Sequence, residues 1–243
     1  MTSKKKEYNH GTETLEVISD AGKFNQWMYE TIKPHCSGNI LEIGSGIGNI
    51  SDYFLKDNFE ISLSDLSSEY FRILEEKYAD FGNLKGLFTL DFAENELERK
   101  YPHLIGQFDT VFALNVLEHV ADHEQSIKNC YSLLKPGGKL VILVPAFQVL
   151  FNKFDVALEH QRRYTPKNLR EVMTISDFKI IHTQFFNVTG ILGWIVSGNL
   201  MGNNTISSSQ MRFYDRLVPV WKIVDWLLGR FLGLSVICVA QKK

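Results

Sequence analysis

The sequence predicts an α/β fold: a mostly parallel seven-stranded sheet with helices on both faces, and a helical insertion before the last strand. Three observations carry this. Seven apolar segments have strand length, helical patterns separate the first five, and a glycine-rich loop follows the first. Strands alternating with helices need crossover connections, and crossovers place parallel strands side by side with helices over both faces.

The elements follow in order. Leu15, Ile18, Phe24, Trp27, Met28 and Ile32 recur at helical spacing and predict an amphipathic helix before the sheet. Strands are expected at 39–43, 59–64, 85–90, 107–114, 138–144, 177–186 and 233–240. Ser67 is placed to cap a helix carrying Tyr70, Phe71, Ile73 and Leu74, and Asp122 with Gln125 to cap one running through Leu134. Lys135-Pro136-Gly137-Gly138 stops that helix, and Thr165 followed by Pro166 opens another with Leu169 and Val172. Residues 187–232 start glycine-rich and apolar, pass through a polar run, and end on a stripe of Phe213, Leu217, Trp221, Val224, Leu228 and Phe231. Pro219 should start or kink that last helix. The stripe is expected to pack into the core. The other readings of Trp194, Trp221 and Trp226 are a greasy acceptor pocket or contact with a membrane surface.

With 243 residues, 44% of them hydrophobic, the chain can bury a full core, and one domain over 1–243 is expected. Its parts would be an N-terminal helical cap at 1–37, a cofactor-binding core at 38–186, an insertion at 187–232 that could act as an acceptor lid, and the last strand at 233–243. A net charge of -2 offers no positive field for nucleic acid. Cys36, Cys130 and Cys238 stand far apart without metal-ligand spacing and read as reduced core thiols. The polar N-terminus lacks an apolar secretory region, Lys4, Lys5 and Lys6 read as a solvated end, and no apolar run reaches membrane-spanning length. A cytoplasmic location is the expectation.

The chemistry centres on Glu42-Ile43-Gly44-Ser45-Gly46-Ile47-Gly48. Three alternate glycines let a backbone turn sharply and approach a nucleoside ligand closely. A dinucleotide fingerprint would need another glycine where Asn49 or Ser51 stands. An acid at Glu42 would repel a pyrophosphate and suit a cofactor bearing an amino group, such as S-adenosylmethionine. Asp65 and Asp91 end later strands, where open α/β sheets bind ligands.

The order of these motifs resembles a class I S-adenosylmethionine-dependent methyltransferase over about 38–186, which implies a Rossmann-like fold. By that resemblance Glu42, Gly44, Ser45, Gly46 and Gly48 form the cofactor loop and Asp65 holds the ribose hydroxyls. Asp91 and Phe92 would contact the adenine, with Leu66 against the ring. FDTVFALNVLEHV matches the fourth strand and its exit, placing Asn115 and Val116 by the methionine moiety. His119 lies near the expected methyl position, either as a general base or as a histidine ordering the loop. The resemblance extends to a subset of bacterial enzymes with an LGHxRRYT-like motif, in which Glu159 here replaces the glycine. His160, Arg162, Arg163 and Tyr164 become candidates to contact an acceptor, with Lys153 and Arg170 adding charge. The plainer reading pairs the arginines with Asp155 and Glu159. His119 and His123 are four residues apart, but they straddle the Asp122 cap without a third ligand, so no metal is expected.

The implied activity is methyl transfer by in-line displacement, most simply to oxygen, on a small-molecule or lipid- or sugar-linked acceptor that is anionic or amphipathic. Peripheral membrane contact is compatible with this. The rivals are an NAD-dependent oxidoreductase of related fold and a non-catalytic S-adenosylmethionine-binding partner.

Overall fold

The structure is a computed structural model that describes residues 3–200 and 206–243. The side chains of 3–10 and 199–200 lie outside the description, and with them the expectation for Lys4, Lys5 and Lys6; so does part of the polar run, at 203–205. In chain order the elements are α1 (Ser3–Ser19), α2 (Gly22–Ile32), β1 (Ile40–Ile43), α3 (Ser51–Lys56), β2 (Ile61–Asp65), α4 (Ser68–Tyr78), β3 (Leu84–Thr89), α5 (Leu97–Lys100), β4 (Phe108–Leu114), α6 (His123–Leu133) and β5 (Leu134–Pro145). They continue with α7 (Lys153–Ala157), α8 (Pro166–Met173), β6 (Phe178–Phe186), α9 (Gly190–Ile195), α10 (Ser208–Arg216), α11 (Val218–Leu228) and β7 (Ser235–Lys242).

The sheet order is β3-β2-β1-β4-β5-β7-β6. The first five strands run parallel, and β7 lies antiparallel between β5 and β6. Alternation along each strand divides the core into two apolar layers. Leu41, Ile43, Val111, Ala113, Leu140 and Ile142 meet α6 and α8 on one face. Ile40, Phe112, Val141, Leu143, Ile237 and Val239 meet α2, α3 and α4 on the other.

Local signals are realised where the sequence placed them. The Ser67 hydroxyl accepts from the amides of Glu69 and Tyr70, Asp122 accepts from Gln125, and Thr165 forms a reciprocal capping box with Asn168. Three expectations change. The N-terminal helical pattern is two helices, since the Ile18 carbonyl is taken by Ala21 N and Asn25 Nδ2 and the chain turns there. β5 starts at Leu134 rather than 138, because Leu134 already pairs with Phe108 and Gly137, at φ +78°, lies where the register shifts.

The third change concerns the aromatic stripe, which is not a core stripe. Pro219 starts α11, and the break at Leu217 splits the pattern over two helices that both pack on α2. Val218 is buried and Trp221 stacks on Tyr214, but Phe213, Leu228 and Phe231 are exposed, together with Ile223, Leu227 and Trp226, the last at 81%.

Candidate active site

The chain runs outward from β1 through β2 to β3, then crosses back to lay β4 on the other side of β1. Connections therefore leave the carboxyl ends of β1 and β4 in opposite directions, the switch point at which open α/β sheets form their ligand cleft. Gly44, Gly46 and Gly48 line its β1 side with φ of +72°, +55° and +83°, a region that other residues enter only with strain. The amides of Gly44 and Ser45 donate to the Ser64 carbonyl and pin the loop to β2. Across the cleft, a Cβ at Gly44 would run into the Val116 side chain.

Asp65 ends β2 and accepts from Gly46 N at 2.9 Å and Ser67 N at 2.8 Å, so it braces the loop while keeping lone pairs free. Leu66 beside it is 64% exposed. Asp91 is exposed, with one oxygen accepting from Ala93 N. Asn115 leaves β4 with φ +55°, exposed at the cleft, its amide donating to the Leu143 carbonyl.

Two expected cofactor residues sit elsewhere. The Phe92 ring is buried in the core beside Leu97 and Ile127, so it does not face the cleft. The Glu42 carboxyl is buried beneath the loop, accepts from the Ser51 hydroxyl, and is pushed up to about 8 by burial. It holds the start of α3 against β1 and is no open acid facing a ligand. The N-terminal helical pattern is expected to pack on the sheet or cover the site, and α1 lies over the loop, with Leu15 against Gly46 and its carbonyl accepting from Asn49 Nδ2, a contact that spacing alone does not single out.

The second half of the site is built from the exit of β4 and the segment after β5. A single 3-10 turn, Leu117–His119, carries Glu118 inward and His119 outward. Gln161 N donates to the Glu118 carbonyl and Gln161 Nε2 to the His119 carbonyl, which ties the two segments together. The His119 and His160 rings meet edge to face at 4.7 Å. Desolvation and then the His160 ring hold the His119 imidazole down to about 4.

The arginine pair has separate fates. Arg163 is buried, donates through Nε to Asp155 Oδ1 at 2.8 Å and through Nη1 to the Ala146 carbonyl, and lies over the Trp194 ring. Tyr164 is buried and bonded through its hydroxyl to His123 Nδ1 at 2.8 Å. Neither is open to an acceptor, because both are consumed in fixing the loop. Arg162 is half-buried, with Nη2 donating to the Ala121 carbonyl and Gln161. His160 donates from Nδ1 to Asp155 Oδ1 at 2.8 Å. Asp155 was foreseen only as an ion-pair partner; its link to His160 was not. Its capping-box position after Asn152 is the signal that marks it as fixed. The His119–His123 pair dissolves, since His123 turns to Tyr164.

Residues 41–140 match the family model described as Methyltransferase domain. The chain is 32% identical over 103 residues to a Ubiquinone biosynthesis O-methyltransferase of Xanthomonas euvesicatoria, covering 42% of this chain and 41% of that protein. It is 34% identical over 109 residues to the hybrid PKS-NRPS synthetase iccA of Talaromyces variabilis, covering 43% of this chain and only 3% of the synthetase. Among solved structures, a SAM dependent methyltransferase from Archaeoglobus fulgidus superposes with TM-score 0.58 at 16% identity, covering 90% of this chain and 94% of the other. Phosphoethanolamine N-methyltransferase 2 of Haemonchus contortus, in complex with S-adenosyl-L-methionine, gives 0.59 at 20%, covering 90% and 52%.

Proposed function

From the premise that residues 41–140 are a methyltransferase domain within a class I S-adenosylmethionine-dependent methyltransferase fold, we propose that the chain methylates a small-molecule acceptor with S-adenosylmethionine as donor. The observation that carries this is the convergence, at the β1–β4 switch, of a left-handed glycine loop, the Asp65 and Asp91 carboxylates and the Asn115 turn. The residues fit the cofactor: a backbone cradle that a Cβ would fill, two carboxylates for hydroxyl and amine donors, and an exposed Leu66 for an apolar ring face. Bound there, S-adenosylmethionine would supply an electrophilic methyl on a sulfonium. Asp65 would hold the ribose hydroxyls, Asp91 the exocyclic amine, and the Asn115 carbonyl the amino group.

The protein's main task is then positioning, which in well-oriented systems removes roughly 7–11 kcal/mol of barrier. A hydroxyl acceptor must also lose its proton. His119 faces the cleft end, but an imidazole held down to about 4 is a weak base at neutral pH.

A lipid-linked acceptor suits the surface beside the site. Phe213, Ile223, Trp226 and Phe231 are exposed next to Arg212, Arg216 and Arg230, which make no ion pair among the described residues. An apolar face edged by guanidiniums, with that of Arg230 lying over the Phe231 ring, complements an anionic membrane surface. Among the described residues no helix is long and apolar enough to cross a membrane.

Calorimetry with S-adenosylmethionine and with NAD tests the cofactor: binding of NAD alone would sink the reading. Release of S-adenosylhomocysteine, screened over anionic lipid-linked and small aromatic acceptors, tests the substrate class. Sedimentation with phosphatidylglycerol vesicles tests the surface. Trp226→Ser should weaken vesicle binding several-fold and leave the melting temperature unchanged, as expected of an exposed side chain. Unchanged vesicle binding would count against membrane contact.

A further inference from the structure

We propose that Glu118, His119 and His160 form a binding site for a divalent first-row transition cation at the β4 end of the cleft. One ligand atom from each lies within 4.8 Å of the others. The second observation is Glu118 itself. Its side chain is fully buried, and neither carboxylate oxygen has a hydrogen-bond partner. Burying an unpaired carboxylate is costly, and a cation is the partner that removes the cost. A hydrogen bond to His160 does not satisfy it, because Nε2 stands 3.9 Å from Glu118 Oε1, beyond hydrogen-bond range.

His160 is prepared as a ligand. Its Nδ1 donates to Asp155 Oδ1, so Nε2 carries the lone pair and faces Glu118. Asp155 is held in turn by Arg163 Nε and by Asn152 N. The carboxylate-histidine relay thus orients the ring. The two backbone segments are likewise joined beforehand, through Gln161 N to the Glu118 carbonyl.

Two imidazole nitrogens and one carboxylate oxygen favour manganese, iron, cobalt or zinc over magnesium or calcium. Three protein ligands leave positions open for solvent or an acceptor oxygen. Tetrahedral ligands at about 2.0–2.1 Å from zinc sit roughly 3.4 Å apart. The cluster, with its ligand atoms within 4.8 Å of one another, is wider than that, so a bound cation would draw the three side chains together. Such a cation would lower the pKa of a bound hydroxyl, whose proton passes to solvent, and so do what the weakly basic His119 does poorly. That last consequence rests on the methyl-transfer reading; the site does not.

The test titrates the full chain, stripped with a chelator, with Zn2+ in a calorimeter without methyl donor. Failure here therefore leaves the methyl-transfer reading standing, and the reverse holds. One Zn2+ should bind per chain with micromolar or tighter affinity. Glu118→Gln and His160→Ala should each weaken it at least 100-fold, and Asp155→Asn about 10–100-fold. His182→Ala should change nothing, although His182 stacks on His35 at 4.9 Å and offers another imidazole pair. In wild type, Co2+ should give a visible ligand-field band that Glu118→Gln abolishes, with circular dichroism reporting the fold of each variant. The proposal is overturned if folded wild type binds neither cation, or if binding follows His182 and is indifferent to Glu118 and His160.

Discussion

The two halves of the site use charge in opposite ways. On the β1 side, Asp65 and Asp91 stand at strand ends with lone pairs to spare, and Phe92 is packed away with Leu66 left open beside them. On the β5 side, Arg163, Asp155 and His160 are buried and bonded to one another, while the apolar residues of α10 and α11 are left in solvent. Charge at a strand end is available for a ligand; charge in a buried loop is framework. The same residue types therefore call for opposite readouts, affinity in one half and stability in the other.

The largest effect should come from the framework half. Asp155→Ala leaves the Arg163 guanidinium buried without its anion and should cost about 3–5 kcal/mol in denaturant unfolding. A loss under 1 kcal/mol would mean that Arg163 is free after all and the contrast is false.

Next comes pH. Glu42 is held up to about 8 by burial, against an ordinary value near 4.5. Its contribution to stability is fully present below the unfolded value and is lost as pH rises through about 8, since the folded state keeps the proton longer. Glu42→Gln should remove that slope, giving a variant-minus-wild-type difference that grows between pH 5 and 8 to a few kcal/mol and then levels. A difference independent of pH would show the carboxyl to be ionised and open.

A smaller change is expected at Gly44. Gly44→Ala forces a side chain into a left-handed turn and against Val116, costing about 1–3 kcal/mol of stability and, more tellingly, calorimetric affinity for S-adenosylmethionine. Intact affinity would separate the loop from the cofactor.

The smallest is Glu159→Gly. Glu159 has φ +59°, which explains why a glycine suits this position, and the substitution should stabilise by about 0.5–1 kcal/mol in a thermal melt. Destabilisation would mean that the Glu159 side chain makes a contact worth more than the strain.

These contrasts also mark where the sequence could be read. Caps at Ser67, Asp122 and Thr165 are local decisions among neighbouring residues, and the alternation of apolar segments dictated the parallel sheet. What it did not disclose depends on chain segments meeting at long range. Leu15 reaches the glycine loop from α1. His160 meets His119 across 41 positions, by way of a relay that only the packed loop creates. Spacing set His119 beside His123 but offered no third ligand, and tertiary contact gives each another partner. The aromatic stripe misled for a related reason: helical periodicity says which residues share a face, not whether anything covers that face.

The neck of the insertion carries one more consequence. Phe186, the last residue of β6, pairs with Ser235, the first of β7, and Leu234 N donates to the Asn187 carbonyl just outside them. To the sheet, everything between is one excursion that leaves and returns at the same point. The entropy of closing such an excursion rises only by about 0.6 kcal/mol for each doubling of its length. Segments of different size and chemistry can thus be exchanged there during evolution, or by a protein engineer, as long as the replacement still covers α2.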